Sequence, residues 1–372
     1  MAEGKRPEWA DDNDTEHFAS FVREGSVPEK GKAPNQKARF IRKEKGILDL
    51  DDLQKGLVSG DRAKLARAIT LIESNADRHM IQAQELLQSV LPSTGNSIRI
   101  GISGVPGAGK STFIETFGIF LCSLGYKVAV LAVDPSSTLN GGSILGDKTR
   151  MEKLARHPQA FIRPSPSGGT LGGVHRKTRE TMLLCEAAGF DVILVETVGV
   201  GQSEAIVRGM VDFFMLLVLT GAGDEIQGMK KGIMELVDLI VVNKADGDNE
   251  MLAKKTSKEY TRFLHFLQPA TRGWPPQATC CSSINGNGIR EIWEITTEFS
   301  KMTKENGIYQ ERRRLQLKDW LYSLINEQLQ KTFFNDGTVK NLLPILENQV
   351  MAGKKTVTKA VQESFAEFLS HR

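Results

Sequence analysis

The chain is poor in the residues that build stapled or thiolate-bound folds. Four cysteines in 372 residues, with no C-x-x-C pair among them, exclude a disulfide framework. Cys122, Cys185, Cys280 and Cys281 stand among apolar residues and are expected to be buried thiols in a reducing compartment rather than metal ligands. The six histidines are equally scattered, so the sequence offers no Cys/His cluster for handling a metal cargo. Long apolar runs are missing as well. A spanning helix needs about 18 apolar residues, and the longest run here, Phe213 to Leu219, is strand-sized, so no membrane crossing is expected. A net charge of only +3 gives no electrostatic case for nucleic-acid binding. The first 16 residues hold six acidic groups (Glu3, Glu8, Asp11, Asp12, Asp14, Glu16) against Lys5 and Arg6, the opposite of a secretory or mitochondrial presequence. The expectation is a cytoplasmic protein of bacterial type, long enough for one domain of about 200 residues plus appendages.

What is present is organised around residues 98 to 112. Ile98, Ile100 and Ile102 alternate as in a strand. They lead into Gly104-Val105-Pro106-Gly107-Ala108-Gly109-Lys110-Ser111-Thr112, and helix formers with Phe113, Ile114 and Phe117 follow. Strand, phosphate loop and helix is the natural reading. The glycines let the backbone aim successive N–H groups at phosphate oxygens, and the helix adds the positive end of its dipole. Lys110 can reach the β and γ phosphates, and the Ser111 hydroxyl can ligate Mg²⁺.

Residues 1–47 form a polar extension with Pro7, Pro28 and Pro34 and a basic stretch from Lys30 to Lys45, too polar to bury much surface. Residues 48–95 read as a helical module: Leu65, Ile69 and Ile72, then Met80, Ile81, Ala83, Leu86, Leu87 and Val90, recur at threes and fours, with Asp61 as N-cap and Pro92 after the run. In residues 96–300 strand-like and helical runs alternate. Strands are expected at 98–103, 127–134, 160–166, 192–197, 213–220, 239–245 and 278–283, several of them continuously apolar as strands buried on both faces must be. The fold class is α/β, a mostly parallel, doubly covered sheet, with ligands beyond the carboxyl ends of the strands. Residues 301–372 hold three amphipathic runs, on Leu317–Leu324, Val339–Val350 and Val357–Phe368. Their stripes can pack on the chain's own domain or serve as an arm for self-association, and both readings stand at this point.

Charged and polar residues gather at the strand exits. The second strand ends in Val133-Asp134-Pro135-Ser136-Ser137, with Asp147 in the following loop. Both acids are candidates for holding Mg²⁺ or its waters, although Asp134 also fits a helix N-cap. The fourth ends in Glu196-Thr197-Val198-Gly199, where an acid on the metal side is followed by a glycine N–H that can sense the γ-phosphate. Val200 follows, where many regulatory GTPases carry a water-positioning glutamine, and a glutamine appears only at Gln202. An aliphatic side chain cannot orient water, so hydrolysis by the isolated chain is expected to be slow. The sixth ends in Asn243-Lys244-Ala245-Asp246. A carboxylate there accepts from guanine N1–H and its 2-amino group, which adenine cannot offer, and the Lys244 stem can cover the base. The last strand ends in Ser282-Ser283-Ile284, where a backbone N–H can receive the guanine oxygen. The loops 165–173 and 220–231 are rich in glycine and read either as switches or as ordinary surface loops.

These motifs together, with Gly-Gly-Thr-Leu-Gly-Gly at 168–173 and Gly-Ala-Gly-Asp-Glu at 221–225, closely resemble the GTPases associated with methylmalonyl-CoA mutase, from about residue 48 into the C-terminal arm. The family's older label as an arginine/ornithine transport ATPase finds no support in these residues. The resemblance implies a P-loop NTPase fold and a G-protein chaperone that hydrolyses GTP to GDP. Its implied partner is an adenosylcobalamin-dependent methylmalonyl-CoA mutase or related acyl-CoA mutase. It would gate cofactor loading and protect or reactivate that partner. It also implies a homodimer joined through the C-terminal helices. Asp134, Asp147 and Glu196 would belong to the Mg²⁺ and switch machinery, and Lys230 to an extra switch that answers the partner. Lys110, Glu196, Gln202 and Lys230 are the candidate catalytic residues. No Asp-x-His-x-x-Gly signature occurs, so cobalamin is expected on the partner and not on this chain. A metal-insertion GTPase would need a Cys/His cluster, a small-molecule kinase a second substrate pocket with a base, and a purely structural dimerisation module none of the nucleotide motifs.

Overall fold

The computed structural model describes residues 49–133, 151–164, 171–197, 203–221 and 231–370. Seven strands form one sheet in the order β3-β2-β4-β1-β5-β6-β7, and every pairing is parallel. They are β1 (Ile98–Gly104), β2 (Val128–Val133), β3 (Ala160–Arg163), β4 (Val192–Thr197), β5 (Phe213–Val218), β6 (Leu239–Val242) and β7 (Gln277–Cys280). All seven expected strands are present in their expected stretches of the chain, and among the described residues "mostly parallel" becomes wholly parallel in this sheet. β2, β4, β5 and β6 are buried at every position, because helices cover both faces. The chain leaves β1 for β2 on one side, returns through β4, then continues to β5 on the other. Successive crossovers therefore part around β1, and a crevice opens at its carboxyl end.

On one face, α4 (Lys110–Ser123), α5 (Glu152–Arg156) and α10 (Ile289–Glu305) pack Phe113, Phe117, Leu154, Trp293 and Phe299 against Ile100, Val130, Phe213 and Met215. The opposite face carries α6 (Leu171–Ala187) and α7 (Ser203–Arg208). Gly101 of β1 lies there against Phe214, Val207 and Val211, where even a methyl group would collide with the Phe214 ring. The short helix α8 (Lys231–Met234) precedes β6, and α9 (Glu250–Leu264) lies between β6 and β7.

The amino-terminal module comprises α1 (Leu50–Val58), α2 (Arg62–Glu73) and α3 (Asp77–Val90). Asp61 caps α2 as expected, accepting from Ala63 N at 2.7 Å and Lys64 N at 3.2 Å, a contribution of about 1 kcal/mol. Leu65, Ile69, Ile72, Ala83, Leu86, Leu87 and Val90 are buried as their spacing predicts, but Met80 and Ile81 face outward. The module sits on α6: Lys177 Nζ donates to the Glu73 carbonyl (2.5 Å) and Asn75 Oδ1 (2.7 Å), closing the end of α2, and Gln84 Nε2 donates to Glu180 (3.1 Å).

Three helices end the chain: α11 (Ile308–Asn335), α12 (Gly337–Met351) and α13 (Val357–Ser370). The first turns of α11 are stapled under the amino ends of the strands. Arg313 gives Asp212 a two-pronged bond, Nε to Oδ1 at 2.8 Å and Nη2 to Oδ2 at 2.7 Å. Tyr309 adds its hydroxyl to the same Oδ2 at 3.1 Å. Arg312 bonds the Asp212 carbonyl and Thr271, and Asp238 is held by Arg208 at 2.8 Å. The middle of α11 is bare: Leu317, Leu321, Tyr322, Ile325 and Leu329 are all exposed. Beyond it, the buried Phe333 stacks on Phe365 and meets the edge of Phe368, fastening the end of α11 to α13. Along the expected stripe Leu317–Leu324, Trp320 and Leu324 are half-buried, Trp320 beneath the Arg179 guanidinium, while Leu317 and Leu321 are uncovered in a single chain.

Candidate functional site

Residues 105–109 join β1 to α4 at the crevice. Gly109, at the helix cap, has φ 84°, and a Cβ there would lie 2.9 Å from Asn243 Nδ2. Gly104 lies so close to the Leu217 carbonyl of β5 that any Cβ would strike it. Val105 is half-buried, Pro106, Gly107 and Thr112 are exposed, and Ala108 is buried. Lys110 folds back over the loop and donates to the carbonyls of Gly104 (2.7 Å) and Val105 (3.4 Å). Burial pulls its ammonium below the usual lysine range, while the carboxylates of Glu196 and Glu204 favour the charged form.

Glu196 lies on β4, in register with Ile102 of β1 and Ala132 of β2. The sheet thus carries a buried carboxylate to within 3.4 Å of the Ser111 hydroxyl. Two hard oxygens side by side beneath a phosphate-type loop suit Mg²⁺. Next to Glu196, Thr197 donates to Ser103 Oγ at 2.8 Å, locking the ends of β4 and β1 together.

The other half of the crevice is built by Asn243. Its Nδ2 donates to the Ala108 carbonyl at 2.8 Å, and its Oδ1 accepts from Ser283 Oγ at 2.7 Å and more weakly from Cys281 Sγ. One buried amide thus ties the glycine loop, the exit of β6 and the exit of β7 together. Lys244 takes a left-handed conformation, φ 60°, with its side chain exposed, and this turn lets Ala245 N reach the Cys281 carbonyl. Asp246, half-buried, accepts from Ser282 Oγ at 2.8 Å. Asn249 braces the turn by donating to the Lys244 carbonyl and accepting from Thr220, both at 2.7 Å. Ile284 is exposed at the tip of its loop.

The candidates Gly104 to Thr112, Glu196, Asn243, Lys244, Asp246 and Ser282 to Ile284 therefore meet at one end of the sheet. Asp134, Asp147, Gly199, Gln202 and Lys230 lie outside the described residues. Sequence reading missed three bracing groups: Asn249, Thr220 and Thr116, whose hydroxyl donates to the Ser283 carbonyl. Thr220 reaches Asn249 across 29 positions and Thr116 reaches Ser283 across 167, while Asn249 acts on a carbonyl five residues back; no motif marks any of them. Among the described residues no cluster of three or more His, Cys, Asp or Glu side chains is placed to hold a metal. Cys122, Cys185 and Cys281 are buried and Cys280 half-buried, all as free thiols, and burial pushes the Cys122 thiol up to about 11.

The family model for "Methylmalonyl Co-A mutase-associated GTPase MeaB" matches residues 65–338. A "Putative GTPase" of Caulobacter vibrioides is 51% identical over 321 residues, covering 86% of this chain and 98% of that protein. The mitochondrial "Methylmalonic aciduria type A homolog" of Mus musculus is 46% identical over 314 residues, covering 82% of this chain and 76% of that one. Among solved structures, "LAO/AO transport system kinase" superposes with a TM-score of 0.70 at 39% identity, covering 86% of this chain and 97% of that one.

Proposed function

The chain belongs to the methylmalonyl-CoA mutase-associated GTPases, and from that premise we propose that it is a chaperone for an adenosylcobalamin-dependent acyl-CoA mutase of the methylmalonyl-CoA type. In this reading GTP turnover gates cofactor loading and protects or reactivates the mutase, which holds the cobalamin. The observation that carries the nucleotide half is the Asn243 junction, which places the Asp246 carboxylate and the glycine loop around one crevice.

Residues 105–109 and Lys110 hold the phosphates, and Asp246 with the loop 282–284 holds guanine. Mg²⁺, held by Ser111 and Glu196 with Asp134 and Asp147, would supply positive charge to the phosphate oxygens. Lys110 is kept part-buried beside the carboxylates, so its charge acts at low dielectric where the leaving phosphate gains charge. The Gly199 N–H reports the γ-phosphate. Gln202 and Lys230 complete the site when the mutase docks, because Val200 provides no water-orienting group.

The bare stripe of α11 supports a homodimer. The division into 1–47, 48–95, 96–300 and 301–372 remains our proposal, with one adjustment for experiment. Residue 300 falls inside α10, and Tyr309, Arg312 and Arg313 are stapled to the sheet, so a truncation should retain residues up to 320. We place the protein in the cytoplasm. The deciding experiment is single-turnover GTP hydrolysis with and without purified mutase, alongside co-elution of the two proteins. A mutase that neither binds nor changes turnover refutes the chaperone reading.

A further inference from the structure

Guanine differs from adenine at two places: the N1 and 2-amino edge, which the reading above assigns to Asp246, and position 6, where guanine has an oxygen acceptor and adenine an amino donor. At position 6 the loop leaving β7 offers only backbone, so selectivity there depends on which way its peptide groups point. Ser283 Oγ is tied to Asn243, and the turn around it is closed by Gly286 N on the Ser282 carbonyl at 2.8 Å and Asn285 N on Ser282 Oγ at 3.2 Å. One further bond grips the Ser283–Ile284 peptide itself, from outside the loop. Thr116, half-buried on α4, donates its hydroxyl to the Ser283 carbonyl oxygen at 2.6 Å. The described peptide bonds are all trans, and in a planar trans peptide C=O and N–H point in opposite directions. With the Ser283 carbonyl held toward α4, the Ile284 N–H is held away from it, at the exposed rim where the Ile284 side chain lies.

We propose that Thr116 is a specificity-determining positioning residue: by fixing the Ser283–Ile284 peptide it aims the Ile284 N–H at the 6-oxo group of guanine and against the 6-amino group of adenine. The proposal rests on the guanine-site reading above. It also joins base recognition to phosphate binding, because Thr116 and Lys110 ride on the same helix.

The test is calorimetric binding of GDP, IDP and ADP to the full chain and to Thr116→Val, Thr116→Ala and Thr116→Ser. Hypoxanthine keeps the 6-oxo group and lacks the 2-amino group, so IDP isolates position 6. Thr116→Val and Thr116→Ala should each weaken GDP and IDP by the same factor, about five- to tenfold, the worth of one hydrogen bond. ADP affinity should stay put, and Thr116→Ser, which keeps the hydroxyl, should bind as the parent does. Equal weakening of all three nucleotides, or unchanged discrimination with only a lower Tm, would reduce Thr116 to a structural tether and overturn the proposal. A parent chain that fails to separate GDP from ADP would instead overturn the guanine-site reading, and Thr116 with it.

Discussion

Replacing Arg313 with methionine should cost the fold about 3–5 kcal/mol, because it strands a buried carboxylate. Asp212 is 1% exposed, and Arg313 supplies both of its strong ionic contacts while also donating to the carbonyls of Gly95 (3.0 Å) and Ser97 (2.6 Å). What would remain is the Arg99 amide at 2.8 Å and the Tyr309 hydroxyl at 3.1 Å, neither carrying a countercharge on the bonding group. The pH dependence has a definite sign. In the parent, burial alone would raise the Asp212 carboxyl, but the bonds and charge of Arg313, with the charge and amide of Arg99 behind them, outweigh it and hold the group below the usual carboxylate range. Its contribution is therefore present above the unfolded value, about 3.9, and is lost as pH falls. In the variant burial wins, the folded pKa rises above the unfolded one, and the penalty grows as pH climbs and is relieved by protonation in acid. The gap between parent and variant should thus be smaller at about pH 5 than at about pH 8. Urea unfolding at both pH values, followed by far-UV dichroism, measures it, and Asp212→Asn in the Arg313→Met background should recover part of the loss. A cost below about 1 kcal/mol, or a gap indifferent to pH, would mean that the staple does not hold α11 as argued.

Asp246→Asn removes the acceptor for two guanine donors and should weaken GTP by at least about 2 kcal/mol while improving xanthosine nucleotides; equal binding of GTP and ATP by the parent would refute this. Lys110→Ala should lower single-turnover hydrolysis by about 10²-fold or more, since it removes a preorganised charge at the phosphates; near-parental turnover would take Lys110 out of the chemistry. If the stripe Leu317–Leu329 is the dimer seam, ending the chain at residue 320 should give a monomer that still binds GDP. Light scattering that finds the full chain monomeric at micromolar concentration would sink it. Lys230→Ala should lose most of the mutase-stimulated acceleration, and stimulation as strong as the parent's would remove Lys230 from the mechanism.

The sheet was legible because its strands are short and bounded by helical periodicity, with β2, β5 and β6 continuously apolar, and the glycine loop because its residue types admit so few other uses. The strand ends were less legible. The expected strands 239–245 and 278–283 run on past Val242 and Cys280, where the chain in fact leaves the ladder. Asn243 and Lys244 turn it, and the burial of Ala245 comes from loop packing against Cys281. Asn243 itself was found from its four-residue pattern, but its bond to the Ala108 carbonyl spans 135 positions and leaves no local trace. The arginine staples are equally silent: Arg313 and Asp212 are 101 residues apart, and each alone reads as an ordinary surface charge. The α11 stripe was recognised as amphipathic, but periodicity cannot say whether the covering surface comes from the same chain.

The two ends of the sheet divide the protein's vulnerabilities. Substitutions under the amino ends of the strands, at Asp212, Asp238, Arg312 or Arg313, strike groups that hold the fold together, so a cell carrying one would be short of the protein itself. Substitutions at the carboxyl ends, at Lys110 or Asp246, strike half-buried groups whose loss the core can bear, so the cell would keep its normal amount of an idle protein. An immunoblot set beside an activity measurement would sort newly found variants of this chain by the end of the sheet they damage.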